Sequence, residues 1–308
     1  MALPEKPLVP SRLFRHESTG PSTSRVRGFI ALTKPRIIEL LLVTTIPTMV
    51  LAEGGWPSVG LMVATLVGGT LAAGGANAIN MYIDRDIDRL MERTKHRPLV
   101  TGVVGPTEAL VFALVLEIAA FVVLWAFANL LAALLALSAT AFYVFVYSLW
   151  LKRTSRQNIV IGGAAGAVPV LVGWAAVRGS LDWAPVVLFV FIFLWTPPHF
   201  WALAIKYTAD YRNAGVPMLP VVASMEHTIR QMMLYAVLVL ASSLAVIPLS
   251  ELDWIYGITA LVLGVAFVIM TARLRSDPSE ARAMRVFTFS ITYVSVLFLS
   301  IIVDVVVG

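Results

Sequence analysis

The chain has 308 residues, of which 59% are apolar and only 13% are charged, and its mean hydropathy is +0.85. Because soluble domains carry about 25% charged residues, this composition excludes an ordinary soluble protein and indicates a polytopic membrane protein. The net charge of +5 reflects basic loops on one face and does not indicate nucleic-acid binding. The lack of cysteine excludes disulfides, thiolate catalysis and thiolate metal sites.

Residues 1–28 are polar, rich in Arg, Ser and Pro, and contain no apolar run. We predict a basic, disordered cytoplasmic arm without a cleavable signal peptide. The Arg and Ser content also occurs in mitochondrial presequences, but Glu5 and Glu17 argue against that alternative. The composition favours a bacterial or archaeal plasma membrane, with residues 29–308 as the transmembrane domain.

Nine apolar segments follow, most of them long enough to cross a hydrocarbon core of about 30 Å. The sequence predicts an all-α, polytopic membrane fold with nine transmembrane helices near residues 37–53, 59–83, 107–125, 129–149, 158–177, 184–205, 231–249, 254–272 and 286–306. The least distinct boundary lies at residues 126–128, where Asn129 is the only polar break.

Basic residues alternate with these spans. Every Lys and Arg except Arg178 lies in the N-terminal arm or in the loops after spans 2, 4, 6 and 8. Because positive loops mark the cytoplasmic side, we predict a cytoplasmic N-terminus and a C-terminus on the outside.

Small residues and prolines mark the helices expected to pack closely. Glycine and alanine cluster at residues 68–76 of span 2 and 162–167 of span 5, which favours close helix contacts. Pro197 and Pro198 predict a kink or break in span 6 and free backbone groups nearby.

Asn80, Asp84 and Asp88 recur one helical turn apart at the end of span 2 and therefore share one helix face. Neighbouring carboxylates repel unless a cation lies between them. Magnesium binds through one or two carboxylates together with substrate phosphates, so the pattern predicts a metal site for a lipid diphosphate. The alternative is a solvated helix end balanced by neighbouring arginines. Asp86 points to the opposite side and is expected to pair with an arginine.

A second polar group, Lys206, Asp210 and Arg212, follows the end of span 6. Spans 2 and 6 lie four apart, so the two groups occupy equivalent places in two four-helix halves, whose interface is a common binding site. His199 lies within span 6, where an ionisable side chain suggests function. It is suited to ligate a metal, relay a proton or cap a carbonyl freed by the prolines, and the sequence does not decide among these.

A third group lies at other cytoplasmic span ends. These cations and hydroxyls are suited to bind diphosphate oxygens, although anchoring to anionic headgroups is an equal alternative for each cation. The group comprises Lys34, Arg36, Tyr147, Ser148, Lys152 and Arg153.

The spans and the Asn80–Asp84–Asp88 pattern together resemble the UbiA superfamily of intramembrane prenyltransferases. Residues 84–99, 196–201 and 210–220 are similar to the protoheme IX farnesyltransferase family, and the resemblance covers about residues 26–305. It implies nine helices around a central cavity and a reaction of farnesyl diphosphate with heme b to give heme O and diphosphate. It further implies Mg²⁺ as cofactor, heme b as substrate, the lipid bilayer as environment, and a heme A synthase or heme-copper oxidase as downstream partner.

The resemblance assigns expected roles to individual residues. The metal motif falls on Asn80, Asp84 and Asp88, with Asp210 as a further metal candidate, while Lys206 stands where many superfamily members have an acid, which places a second magnesium in doubt. Lys206 is instead suited to contact diphosphate or a heme propionate, and His199 is the candidate heme ligand. The expected diphosphate-binding residues are Lys34, Arg36, Arg89, Tyr147, Ser148, Lys152 and Arg212. Aromatic candidates for stabilising a carbocation are Tyr82, Tyr147, Trp195 and Trp201, although such residues also serve as interfacial anchors.

Three alternatives remain at this point. A prenyltransferase acting on an aromatic quinone precursor would have the same metal site. A transporter would carry intramembrane acids along a substrate path, whereas the acids of both polar groups lie at one face. A structural assembly factor would not explain Asp84 and Asp88.

Overall fold

The computed structural model describes residues 24–307, apart from the side chains of residues 36, 37 and 39–42. Most of the predicted arm, residues 1–23, and the Arg36 side chain lie outside the described residues. Helix α1 (Arg25–Thr33) begins inside the segment that we assigned to the arm, because the Ser24 side chain accepts the backbone N–H of Arg27 at 3.4 Å and caps the helix. The described part of the chain is helical without β-strands, which confirms the all-α class.

The remaining helices follow the predicted segments closely. Their bounds are α2 (Pro35–Glu53), α3 (Val59–Asp88), α4 (Pro98–Thr101), α5 (Pro106–Phe127), α6 (Leu130–Ala141), α7 (Lys152–Thr154), α8 (Asn158–Arg178), α9 (Trp183–Lys206), α10 (Thr208–Asn213), α11 (Leu219–Val222), α12 (Met225–Leu244), α13 (Trp254–Ala272) and α14 (Glu280–Val307). A π-helix, Phe142–Leu151, joins α6 to α7. Among the described residues, eight helical segments are long and apolar enough to cross a membrane, and α2 adds the shorter apolar stretch Val43–Glu53.

The predicted break between the third and fourth spans is confirmed, and Asn129 explains it. Its side-chain oxygen accepts the backbone N–H of Ala132 at 2.9 Å and caps α6. Its amide donates to the carbonyl of Ala175, near the end of α8, at 2.6 Å. One side chain thus satisfies backbone groups at two helix ends, which the apolar surroundings require.

Two groups of helices build the molecule. In the first, α3 packs along α5, α5 against α6, and α6 against α8. In the second, α9 packs against α12 and α14, and α13 lies between α12 and α14. Contacts of α2 with α8 and α14, and of α8 with α9, join the groups. The C-terminal ends of α3 and α9 lie at the same end of the bundle, because Arg93 in the loop after α3 contacts Asp210, which follows α9.

The helix with two internal prolines does not break. Helix α9 runs without interruption from Trp183 to Lys206 through Pro197 and Pro198, so of the expected kink or break, the break does not occur. Packing against α8, α12 and α14 holds the chain helical through both prolines. The expected close packing of small residues is confirmed at Gly75, where a Cβ atom would lie 3.0 Å from the carbonyl of Ala113 on α5.

Candidate active site

The C-terminal end of α3 carries a buried polar cluster. Asn80, Asp84 and Asp88 are almost fully buried and lie on one face of the helix. The Asn80 amide donates to Asp84 Oδ2 at 2.8 Å and to Ser148 Oγ at 3.0 Å. The face predicted from helical spacing is therefore continuous, and the π-helix closes one side of it.

Basic side chains from two other segments, α7 and the loop after α3, enclose the two acids. Asp84 pairs with Lys152, and Arg153 lies 3.9 Å from its second oxygen. Asp88 pairs with Arg97 at 2.6 Å. Such buried acids are stable only with charged or hydrogen-bonding partners. The cluster thus holds cations beside carboxylates in a largely dry space.

Lys34 enters the same cluster from the junction of α1 and α2. Its Nζ donates to Asn80 Oδ1 at 2.9 Å. Its backbone adopts φ 52°, a left-handed conformation that costs about 1 kcal/mol. No other non-glycine residue from 24 to 307 has a positive φ. Burial lowers the pKa of Lys34 well below its ordinary value, and the charges of Arg97 and Lys152 lower it further. An anion bound here would relieve that repulsion.

The π-helix shapes the wall opposite α3. Ser148 Oγ donates to the carbonyl of Tyr143 at 2.9 Å, five residues earlier. The rings of Tyr143 and Tyr147 stack with centroids 5.4 Å apart and 12° between planes. A Cβ atom on Gly162 would lie 2.3 Å from the Tyr147 ring, so the absence of a side chain there lets the ring rest on α8. Such π-helical segments occur frequently at functional sites.

Asp86 lies outside this cluster. Its two oxygens accept hydrogen bonds from Arg153, each at 2.7 Å, and its side chain is 59% exposed. The expected pairing of Asp86 with an arginine is confirmed.

The second predicted group lies beside the first but is more open. Asp210 Oδ2 accepts the backbone N–H of Arg93 at 3.2 Å, which ties the loop after α3 to α10. Met91, Tyr211 and Met218 belong to one apolar cluster beneath this contact. The two loops therefore pack together as a roof over this end of the bundle.

Several expected site residues do not join the buried cluster. Lys206, Arg89 and Arg212 are exposed, and the Nζ of Lys206 lies 5.5 Å from the centre of the Tyr207 ring. Within residues 24–307, none of the cations that pair with Asp84 or Asp88 also pairs with Asp210.

His199 occupies an aromatic slot in the second group of helices. Its Nδ1 lies 2.7 Å from Ser290 Oγ on α14, and its ring stacks on Trp195 at 4.2 Å and Phe287 at 4.5 Å. The hydrogen-bond partner of His199 Nδ1 is thus the Ser290 hydroxyl, and not a backbone carbonyl freed by the prolines. Trp195 and Trp201 lie in the same apolar core, Tyr82 lies under Arg85, and only Tyr147 of the four aromatic candidates borders the polar cluster.

Two residues of the cluster were not expected from the sequence. Arg97 lies nine positions after Asp88, and only the folded loop returns it to that carboxylate. Tyr143 lies one helical turn before Tyr147, so helical spacing from Tyr147 is the sequence signal that could have identified Tyr143.

The donor set fits a magnesium ion that is completed by phosphate oxygens. Asp84 Oδ1 is buried and accepts no hydrogen bond from any described residue. No group of three or more His, Asp or Glu side chains forms a complete metal cage in the described chain. Magnesium does not need such a cage, because it binds through one or two carboxylates, substrate phosphates and water. Asp84, Asp88 and the Asn80 carboxamide match that requirement.

Comparisons with known proteins identify the family of the chain. The model of the UbiA prenyltransferase family matches residues 41–301. A protoheme IX farnesyltransferase of Clavibacter michiganensis is 54% identical over 285 residues, covering 91% of this chain and 92% of the relative. One from Pseudarthrobacter chlorophenolicus is 52% identical over 297 residues, covering 94% and 93%.

Solved structures show the same fold. Digeranylgeranylglyceryl phosphate synthase matches with a TM-score of 0.76 at 20% identity, covering 92% of this chain and 99% of that one. A UbiA homologue from Archaeoglobus fulgidus, bound to GPP and Mg²⁺, matches with a TM-score of 0.65 at 20% identity, covering 90% and 99%. The chain belongs to the UbiA prenyltransferase family.

Proposed function

We propose that this protein transfers a farnesyl group from farnesyl diphosphate to a vinyl group of heme b, giving heme O and diphosphate for heme-copper oxidase biogenesis. The observation that carries the proposal is the buried network of Asp84–Lys152 and Asp88–Arg97 pairs. This network lies in a chain more than half identical to protoheme IX farnesyltransferases.

The reaction begins with loss of diphosphate from an allylic carbon. The C1–O bond breaks and its electron pair leaves on the diphosphate, so a delocalised farnesyl cation forms. Lys34, Lys152 and Arg97 provide the positive charge that stabilises this leaving group, because they converge from three segments in a space with little water. Ser148 and the Asn80 amide add uncharged polar contacts at the same place.

Asp84, Asp88 and Asn80 are the proposed holders of one magnesium ion. When bound, Mg²⁺ would neutralise diphosphate charge and lower the barrier to its departure. The buried Asp84 Oδ1, which accepts no hydrogen bond from any described residue, supports this role. The magnesium-bound relative from Archaeoglobus fulgidus supports the choice of ion. Asp210 is the candidate for holding a second magnesium ion, and the magnesium dependence of Asp210→Asn tests that role.

The stacked Tyr143 and Tyr147 rings are the proposed partners of the cation. An aromatic face within about 6 Å of a cation stabilises it, and this pair borders the polar cluster. The vinyl carbon of heme b then forms a C–C bond with C1 of the farnesyl cation. Water adds to the resulting carbocation and loses a proton, which leaves the hydroxyl group of heme O.

Charge distribution gives the proposed orientation. The protein is a multi-pass membrane protein, and basic residues concentrate in the loops at the end where the polar cluster lies. By the positive-inside rule, the N-terminus and the active site face the cytoplasm and the C-terminus faces outward. Exposed Lys206 and Arg212 at that end are suited to meet heme propionates. The product would pass to a heme A synthase or an oxidase.

The test supplies membranes containing the protein with heme b, farnesyl diphosphate and magnesium, and identifies hemes by mass spectrometry. A hydroxyethylfarnesyl heme is expected with the unaltered protein and not with Asp84→Asn. Farnesyl transfer to an added quinone precursor, with no new heme, would keep the family and overturn the acceptor.

His199 needs its own test as a heme ligand. We expect His199→Ala to change the absorption spectrum of bound heme if the imidazole ligates iron. Ser290→Ala serves as the matched control, because it removes the partner of His199 Nδ1 while keeping the imidazole. An unchanged spectrum and unchanged heme O production in His199→Ala would contradict the ligand role and leave a packing role.

A further inference from the structure

A cavity of about 600 Å³ opens at the opposite end of the bundle from the polar cluster. Its walls come from the ends of α2, α8 and α14, the start of α9, and the segment between α12 and α13. Its volume lies within the range of small-molecule sites. Its polar lining residues are Trp174, Arg178, Asp182, Ser250, Glu251 and Asp304.

The buried part of the lining contains an unmet donor. Trp174 is only 6% exposed, and its indole N–H has no acceptor within the described chain. Asp304 is also buried, but its carboxylate accepts the backbone N–H groups of Asp253 at 2.8 Å and Tyr256 at 3.1 Å. Asp304 therefore holds the start of α13, whereas Trp174 has no such role. A buried donor without an acceptor calls for a partner.

Charges at the rim are also unpaired. Arg178, Asp182 and Glu251 are exposed, and none of them forms an ion pair with another residue from 24 to 307. Arg178 is the one basic residue that the charge pattern places on this face of the membrane. The cavity thus offers a cation and an indole donor for an anionic group, together with free carboxylates for a cationic group.

Exposed tryptophans place the rim at the membrane surface. Trp56, Trp183 and Trp254 are strongly exposed and lie in or beside the loops of this end. Tryptophan is enriched where lipid headgroups meet the hydrocarbon core. The cavity therefore opens at the depth of the headgroups.

We propose that this cavity binds the headgroup of a phosphatidylethanolamine-type lipid. Arg178 and the Trp174 indole N–H take the phosphate, and Glu251 with Asp182 takes the primary ammonium group through charged hydrogen bonds. An anionic phosphatidylglycerol headgroup would face two free carboxylates without a cation to offer. A phosphatidylcholine headgroup has no N–H to donate. Ethanolamine phospholipids are therefore the class that satisfies both halves of the lining.

The test measures lipid retention by native mass spectrometry on the full-length, delipidated protein in detergent. Phosphatidylethanolamine, phosphatidylcholine and phosphatidylglycerol with identical acyl chains are compared, and free phosphoethanolamine distinguishes a lipid from a soluble ligand. We expect the unaltered protein to retain phosphatidylethanolamine about tenfold more strongly than the other two lipids. We expect Arg178→Gln and Glu251→Gln each to retain phosphatidylethanolamine about tenfold more weakly than the unaltered protein does. Glu53→Gln is the matched control, because Glu53 lies at the same end but outside the cavity lining.

Equal retention of the three lipids, or unchanged preference in Arg178→Gln and Glu251→Gln, would overturn the proposal. Tighter binding of free phosphoethanolamine than of the lipid would overturn the lipid as occupant. If a substituted protein does not survive purification, the three lipids are made to compete for the unaltered protein. A lack of preference for phosphatidylethanolamine in that competition would overturn the proposal. Prenyl transfer at the polar cluster should continue in Arg178→Gln, Glu251→Gln and Glu53→Gln. That activity shows that the substituted proteins are folded.

Discussion

The C-terminal ends of α3 and α9 occupy equivalent places in the two groups of helices, yet they differ in burial. At the end of α3, Asp84 and Asp88 are nearly inaccessible and each pairs with a basic side chain. At the end of α9, Lys206 is exposed and Asp210 is half-buried, where it accepts one backbone N–H from the neighbouring loop.

Burial and not topology therefore separates the chemistry of the two ends. Removing charges from water strengthens their interaction with a leaving diphosphate, and we therefore place the proposed diphosphate site at the α3 end. The α9 end is better suited to hold the loop after α3 in place. Four substitutions test this difference.

The largest expected effect is that of Asp84→Asn. We expect farnesyl transfer to fall at least about 1,000-fold, because the change removes a carboxylate that we propose holds the metal at the centre of the site. Heme O formation measured by mass spectrometry checks this, and thermal unfolding in detergent reports loss of the pair with Lys152. Asp86→Asn is the control, since Asp86 is largely exposed, and we expect a change of about twofold or less. Equal loss in both proteins would contradict the assignment.

Arg97→Gln should lower kcat/KM for farnesyl diphosphate by about 100-fold, because we propose that the guanidinium is a charged donor to the leaving group. Steady-state kinetics at varied farnesyl diphosphate measure the effect. Arg89→Gln provides the comparison, because Arg89 lies in the same loop region but is exposed. A larger loss of kcat/KM in Arg89→Gln than in Arg97→Gln would indicate that diphosphate binds nearer the exposed Arg89 than Asp88.

Asp210→Asn tests the second end directly. An asparagine keeps an oxygen that can accept the backbone N–H of Arg93, so we expect a loss of about threefold or less, against about tenfold for Asp210→Ala. The magnesium dependence of the rate is measured in parallel. If Asp210→Asn is as damaging as Asp84→Asn and shifts the magnesium requirement, Asp210 holds a second ion and the two ends are alike.

Gly162→Ala should produce a smaller effect than Asp210→Ala, about a fivefold loss of activity. The new methyl group would displace the Tyr147 ring from its place on α8. Gly166→Ala is the control on the same helix, where a Cβ atom would meet nothing within 4 Å. Transfer rates and thermal unfolding of the two proteins are compared. Equal activity in both would show that the position of the Tyr147 ring does not matter.

Local patterns explain why much of the fold was predictable. Hydropathy defined the apolar segments, and the single polar break at Asn129 marked a true helix boundary. Helical spacing placed Asn80, Asp84 and Asp88 on one face because the α-helical period is fixed. Of the kink or break expected at Pro197 and Pro198, the break did not occur, because packing against α8, α12 and α14 keeps α9 helical.

The sequence by itself determined that this is a multi-span helical membrane protein with a carboxylate face at its basic end. These properties depend on composition and on the period of one helix. The tertiary structure decided that Lys152 pairs with Asp84, that Arg97 returns to Asp88, and that Lys34 reaches Asn80. It also formed the cavity at the other end, around Trp174. Such contacts join segments far apart in the chain, and only packing between helices and the course of the loops brings them together.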